Sequence, residues 1–394
     1  MPLVDEIVTL HPEMTAWRRA LHAMPETAFE EHRTAAFVAE KLASFGIPFE
    51  QGLAGTGIIA TLHGRESGPS IGLRADMDAL DIQEATNLPY RSTVPGKMHA
   101  CGHDGHMAML LGAAQHLAKT RNFAGTVHFI FQPAEEMAGG GKVMVEQGLF
   151  EKFPMSQVFG LHNWPGQAFG TFSGKPGPML AASDVFEVTI TGTGAHGAMP
   201  HLGIDPVLVA AEIISSLQSI TSRSVDPNES AVVSVTQIHG GDAWNIIPGE
   251  VVLRGTVRTF RPHVRARVEE RLRAITHGIC AAHGAEGKVW YDYRYPATVN
   301  TAGETALAQA AAGDAVGADN VIPDPASSMA SEDFAYMLEA RPGAYLWLGS
   351  GAGIGLHNAG YDFNDALLPI GASYWVRLTE RVLGMSAGER RINF

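Results

Sequence analysis

Residues 126–136 read Thr126-Val-His-Phe-Ile-Phe-Gln-Pro-Ala-Glu-Glu136. An apolar run too short for a helix, rich in β-branched and aromatic residues, stops at a proline and is followed by two acids. It predicts a strand over 126–131 with Gln132-Pro133-Ala134-Glu135-Glu136 at its carboxyl end. Helical patterns at 105–120 and 140–147 flank it, and further short apolar runs lie at 57–62, 70–75 and 157–161. Strand and helix in alternation imply an α/β fold, a mostly parallel sheet covered by helices. In such sheets ligands gather beyond the carboxyl ends of the strands, where Glu135 and Glu136 are placed.

Outward from this core, residues 12–23 and 31–45 have helical periodicity, the second stopped by Gly46 and Pro48. From about 183 the pattern changes. A strand at 185–191 precedes a helix opening at Asp205-Pro206, with Asp as N-cap and Pro in the first turn. Strands at 231–238 and 250–260, a helix at 263–282 and a strand at 287–293 complete a ferredoxin-like β-α-β-β-α-β unit. After 296 the first pattern resumes, with helices near 303–312, 331–340 and 366–384 and a strand at 344–348. The expected organisation is a catalytic domain of residues 1–182 and 296–394, interrupted by an inserted lid domain of residues 183–295.

The chain has 394 residues, 45% hydrophobic and 18% charged, which describes a soluble globular protein with more than one core. A formal net charge of −13, with no basic run, argues against nucleic-acid and anionic-membrane partners. The N-terminus lacks a signal-peptide pattern, and no stretch reaches the roughly 20 apolar residues of a membrane helix. Cytoplasmic residence is the simpler expectation, and Cys101 and Cys280 need no disulfide in a chain of this size.

The densest chemistry lies in Met98-His99-Ala100-Cys101-Gly102-His103-Asp104-Gly105-His106. A thiol and an imidazole two residues apart, flanked by glycines, can turn toward one ion. Four other elements place polar groups at expected strand ends: Arg74-Ala75-Asp76-Met77-Asp78, Glu135-Glu136, His162-Asn163 and His357-Asn358. Thiolate, carboxylate and imidazole donors together suit one or two zinc, manganese or nickel ions. Adjacent glutamates at a strand end diverge. One can hold an ion while the other takes a proton from a water whose pKa the ion lowers.

The runs GLRADMDAL, MHACGHDGHMAMLLGAA, FQPAEE, GLHNWPG, HGAMPHLGIDPV, NIIPGEVVLRGTVRTF, MASEDFAYM and GLHNAGYDFND occur in this order. With them the chain resembles the aminoacylase and di-metal carboxypeptidase superfamily. More narrowly it resembles the hippurate hydrolases and indole-acetyl-amino-acid hydrolases. The resemblance implies a di-metal exopeptidase-like catalytic domain with metal ligands at Cys101, His103, Glu136, His162 and His357. It further implies Glu135 as general base, His196 as oxyanion donor and Asn245 and Arg258 as substrate-carboxylate contacts. Asp76 and Asp104 would support the ligands, whereas His99 and His106 are read as ordinary loop histidines. The implied activity is metal-dependent hydrolysis of N-acyl amino acids, with two divalent ions per subunit and a homo-oligomer formed through the lid. His196 would act in its own subunit or in a partner's. A dipeptidase or carboxypeptidase, or a non-catalytic metal-binding relative, are the alternatives. Two departures stand out: Arg74 replaces the wider superfamily's ligand histidine, and GAHGAMPH replaces the common GGHAAMPH.

Gly192-Thr193-Gly194-Ala195-His196-Gly197 formally matches a dinucleotide fingerprint. No helix is expected to open there, because Met199-Pro200-His201-Leu202-Gly203 intervenes. Trp164, Met179 and Phe334 are candidate walls of an acyl pocket.

Overall fold

The computed structural model describes residues 3–136 and 138–384. The run that opens the sequence argument is a strand, Ala124–Gln132, fully buried from Val127 onward. Such burial on both faces requires covering layers, and an apolar strand without alternation supplies the surface they pack on. Across the sheet the strands lie in the order Phe49–Leu53, Gly57–His63, Ala124–Gln132, Glu66–Asp76, Gln157–Pro165, Gly343–Gly351, Phe172–Ser173 and Val321–Ile322. The central neighbours, from Ala124–Gln132 to Gly343–Gly351, run parallel. Antiparallel pairs flank them on either side, and the outermost short pair is parallel again.

The helix His103–Thr120 is the central pillar of this unit, with thirteen of its eighteen residues buried. It packs on the helices Asp5–His22 and Leu368–Leu383. Asp5–His22 begins seven residues before the expected start at 12 and carries Pro12 within it. The expected helix at 331–340 is shorter, Ala335–Ala340, because Asp333 is drawn into buried hydrogen bonds described below.

The inserted unit contains the strands Ala182–Thr191, Ala231–His239, Glu250–Thr259 and Glu286–Tyr295, and the helices Pro206–Ser219 and Pro262–His283. Its sheet order is Ala231–His239, Glu250–Thr259, Ala182–Thr191, Glu286–Tyr295, antiparallel throughout, which is the ferredoxin-like arrangement. Asp205 caps the first helix by accepting from Val207 N (2.9 Å) and Leu208 N (3.4 Å). The glycine-rich run at 192–197 leads into a two-residue strand, Ala195–His196, and then a 3-10 turn, so no helix opens on it.

Two compact units result. One takes the chain up to Met179, Thr298–Ala326 and the residues from Asp333 onward; the other takes Leu180–Ala297 and Ser327–Glu332. Among the described residues no helix is long and apolar enough to cross a membrane. Both cysteines are free and buried.

Candidate metal centre

The carboxyl ends of the parallel strands converge on the loop before the pillar helix. Gly102 allows that convergence: its φ of 97° is left-handed, and a Cβ there would lie 2.3 Å from Asn163 Oδ1. Cys101 Sγ then lies 3.4 Å from His162 Nε2. His103 Nε2 lies 3.8 Å from Glu136 Oε1, and His357 Nε2 lies 3.2 Å from the same oxygen. His357 reaches this position because its backbone N–H donates to Ala100 O at 2.8 Å. Cys101, Glu136 and His357 form one group with donor atoms within 4.8 Å of one another, and His103, Glu135 and Glu136 form a second. All five expected ligand side chains and Glu135 are thus brought together. Cys101, His103 and His162 are buried, Glu136 is nearly so, and His357 is exposed.

Two of the imidazoles are turned by their other nitrogen. His103 Nδ1 donates to Asp78 O at 2.9 Å and His162 Nδ1 to Asn163 O at 2.7 Å, so both Nε2 atoms face the cluster. His103 Nε2 and Glu136 Oε1 are buried and find no hydrogen-bond partner among the described residues. Buried polar atoms rarely stay unpaired, and a divalent cation would satisfy both.

The electrostatics agree with a cation site. Burial disfavours a charge on His103, but Asp76, Asp78 and Glu136 outweigh it and push its pKa up to about 10. The carboxylates therefore draw positive charge, and a metal ion would displace that proton. Burial, with His106 and His103 nearby, holds the pKa of His162 well below its usual value, which keeps its lone pair free. Burial and the neighbouring Glu136 and Glu135 push the Cys101 thiol up, so it needs a cation beside it to ionise.

The structure corrects several expectations about the surrounding residues. Asp104 does not touch a ligand: it accepts from His22 Nδ1 at 2.8 Å and Gly105 N at 3.0 Å, on the side where Arg18 is buried. Asp78 does what was expected of Asp104. Its backbone oxygen orients His103, and its Oδ2 accepts Glu136 N at 3.0 Å. The sequence signal for it was an acid two residues past the strand end. Asp76 lies as expected near the ligands, with Oδ2 3.7 Å from His103 Nε2. His106 is no ordinary loop residue; it links Asp76 Oδ1 (2.6 Å) to Asn163 Oδ1 (2.7 Å) and packs edge-on against His162. His99 is also buried, with neither ring nitrogen partnered among the described residues. Met179 and Phe334 are fully buried in packing and are not open pocket walls, whereas Trp164 is partly exposed and stacked on Trp347.

These donors sit in a matched frame. A family model described as peptidase family M20/M25/M40 matches residues 72–381. The chain belongs to this family. An M20/M25/M40 relative, the hippurate hydrolase of Campylobacter jejuni, is 42% identical over 97% of this chain and 100% of its own length. The N-acetyl-L-cysteine deacetylase of Bacillus subtilis is 41% identical over 98% of this chain and 91% of its own. Among solved structures, a dinuclear metal-binding peptidase of the family from Bacillus subtilis superposes with a TM-score of 0.84 at 36% identity, covering 96% of this chain and 99% of that one.

Within the inserted unit of this M20/M25/M40 member, His196 and Asn245 share one corner. The strand Ala195–His196 pairs with Ile246–Ile247, and Gly197 N donates to Asn245 O at 2.8 Å. His196 Nδ1 accepts from Ala198 N at 3.0 Å, which leaves Nε2 to carry the proton as an exposed donor. Arg258 is elsewhere. It lies opposite Ser183, while Glu250, near the His196 corner, lies opposite Thr191. Eight residues of strand separate the two ends, roughly 26 Å at about 3.3 Å per residue. Half-buried, Arg258 donates among the described residues to neutral groups, Ser183 Oγ and Thr256 Oγ1 (both 2.6 Å) and Val257 O (3.2 Å), with the Asp184 carboxylate acting on it through space.

Proposed function

We propose that this chain hydrolyses the amide bond of N-acyl amino acids, releasing a carboxylic acid and an amino acid. The observation that carries the reading is the packing of Glu135 and Glu136 against His103 in a buried donor cluster, in a chain of this family. The names of relatives, a hippurate hydrolase, a deacetylase and an N-acyl-L-amino acid amidohydrolase, support the substrate class.

Cys101, His103, Glu136, His162 and His357 would hold one or two divalent ions of the manganese, zinc or nickel type. Bound there, metal would polarise the scissile carbonyl and lower the pKa of a water. Glu135 takes the proton from that water and returns it to the leaving nitrogen. His196 donates its Nε2–H to the developing oxyanion, a contribution of roughly 2.7–4 kcal/mol for such donors. Arg258 and Asn245 bind the substrate carboxylate. Because Arg258 lies eight residues along its strand from Glu250, next to the ribbon that Asn245 precedes, a single small substrate touches both only when they come from different copies. The reading therefore includes a homo-oligomer in which the His196 corner serves a partner's site.

Glu135→Gln is expected to retain bound metal and lose about 10²- to 10⁴-fold in kcat. Metal analysis beside a hydrolysis panel of benzoyl-, acetyl- and indole-acetyl-amino acids and free dipeptides tests this reading. Turnover that survives in Glu135→Gln removes the general-base role, and activity confined to free dipeptides removes the substrate class.

A further inference from the structure

Glu31 is fully buried just before the helix His32–Ser44, far in sequence from the metal cluster. Its Oε2 accepts from Thr56 Oγ1 at 2.7 Å. Its Oε1 accepts from two backbone donors, Phe29 N at 3.0 Å and Ala134 N at 2.9 Å. Both donors belong to residues in the left-handed region, Phe29 with φ 62° and Ala134 with φ 56°. Non-glycine residues stay there only when their surroundings over-determine them.

Ala134 is the residue before the paired glutamates, and its turn is fastened at several points. Glu136 N donates to Asp78 Oδ2 at 3.0 Å and Gly141 N to Asp333 Oδ2 at 2.7 Å. Asp333 is in turn held by Arg74 Nη2 (3.1 Å) and Gln132 Nε2 (2.7 Å), and its own N–H reaches Glu135 Oε1 at 3.4 Å. Ala134 is the strained point of this turn, and its N–H is taken by Glu31. Releasing that N–H would let Ala134 relax out of the left-handed region and swing the next side chain, Glu135, away from its place.

We infer that Glu31 is a positioning residue for Glu135: its Oε1 holds the strained Ala134 turn that aims the general base. This rests on the general-base reading of Glu135. The role belongs to an acceptor oxygen at the right reach and not to a negative charge, since all three of its donors are neutral. Burial also pushes the Glu31 carboxyl up, consistent with a group whose charge is not needed.

Two variants of the metal-loaded enzyme separate these ideas. Glu31→Gln keeps Oε1 in place and can donate to Thr56 Oγ1. Glu31→Asp keeps the charge but withdraws the oxygen by one methylene. The expected order is therefore the reverse of what charge would give. Glu31→Asp should lose about tenfold to a hundredfold in kcat, with KM within about threefold and metal content unchanged, as misplacement of a reacting group does. Glu31→Gln should stay within about threefold of wild type, and adding Ala134→Gly to Glu31→Asp should restore several-fold in kcat, because glycine adopts the turn without strain.

Wild-type kcat in Glu31→Asp, an equal loss in Glu31→Gln, or a loss that follows metal content would each overturn the inference. If Glu135→Gln is inactive while Glu31→Asp is normal, only the Glu31 inference fails. An active Glu135→Gln removes the reading beneath it.

Discussion

The metal cluster and the His196 corner are built in opposite ways. Cys101, His103 and His162 are buried, and partners such as Asp78 and Asn163 fix which nitrogen faces inward. His196, on a two-stranded ribbon, and Asn245, in the turn before it, are exposed, and among the described residues Ala198 N alone bonds the histidine ring. The first arrangement is preorganised by its own unit, so its groups lose little freedom on reaction. The second holds a donor ready but supplies no enclosure for it. An oxyanion donor in bulk water is worth little, so this corner must act where something else excludes solvent.

The sharpest break between the two regions is metal removal. Chelator-stripped protein should lose all measurable turnover and regain it on adding manganese or zinc. Bound metal should also raise the unfolding free energy, by about 2.7 kcal/mol at a hundred times Kd. A stripped enzyme at full activity would mean that the buried cluster is only structural. Next comes His196→Ala, with an expected loss of about 10²- to 10³-fold in kcat and unchanged metal content. Mixing it with Glu135→Gln probes the exposed corner directly. If His196 serves the partner's site, reassorted dimers contain one complete site in every heterodimer, and about a quarter of wild-type activity returns. No recovery after verified subunit exchange would place His196 in its own subunit's chemistry.

A smaller effect is expected behind the cluster, in stability. Burial lowers the pKa of His22, but its hydrogen bond to Asp104 and the Glu84 carboxylate 3.5 Å from Nε2 win and push it up to about 9. Its ordinary value is 6.5, so this stabilisation is complete below pH 6.5 and disappears as the pH rises through about 9. At about 1.4 kcal/mol per unit, denaturant melts should show a loss of a few kcal/mol across that window. His22→Gln should flatten the slope, and a slope that survives the substitution assigns it to another group. The smallest effect belongs to the lid surface. Trp244 is fully exposed beside Asn245, so Trp244→Ala should change unfolding free energy by less than about 0.5 kcal/mol. A larger loss would reveal that this corner is covered in solution.

The same contrast explains what was legible in the sequence. Glu135, Glu136 and His162 follow apolar runs directly, and a parallel sheet collects whatever follows its strands. The lid's β-α-β-β-α-β order was equally plain, because Asp205-Pro206 and the alternating strands carry local signals. His106 and Asp104 exchanged importance because a helix face decides which histidine meets Asp76, and composition does not show the face. Glu31 left no trace in the sequence. Its partner Ala134 lies 103 positions away, and the link exists only once both turns adopt left-handed backbone. Arg258 and Asn245 read as one pair because they lie thirteen residues apart, but the extended strand Glu250–Thr259 carries Arg258 away from the turn that holds Asn245.

His357 is the one exposed member of the proposed ligand set, with its backbone N–H donating to Ala100 O. That asymmetry has a kinetic consequence. On the proposed two-ion reading, an ion at Cys101, Glu136 and His357 would have a solvent-facing ligand able to let go first, whereas one at His103 and His162 would be enclosed by buried side chains. Metal should therefore depart in two phases when a strong chelator is added, the faster one slowed or accelerated by changes at His357. A single phase that ignores His357 would mean that both positions empty by one route. On this account the enzyme's resting metal content depends on how recently it met a chelator as well as on affinity.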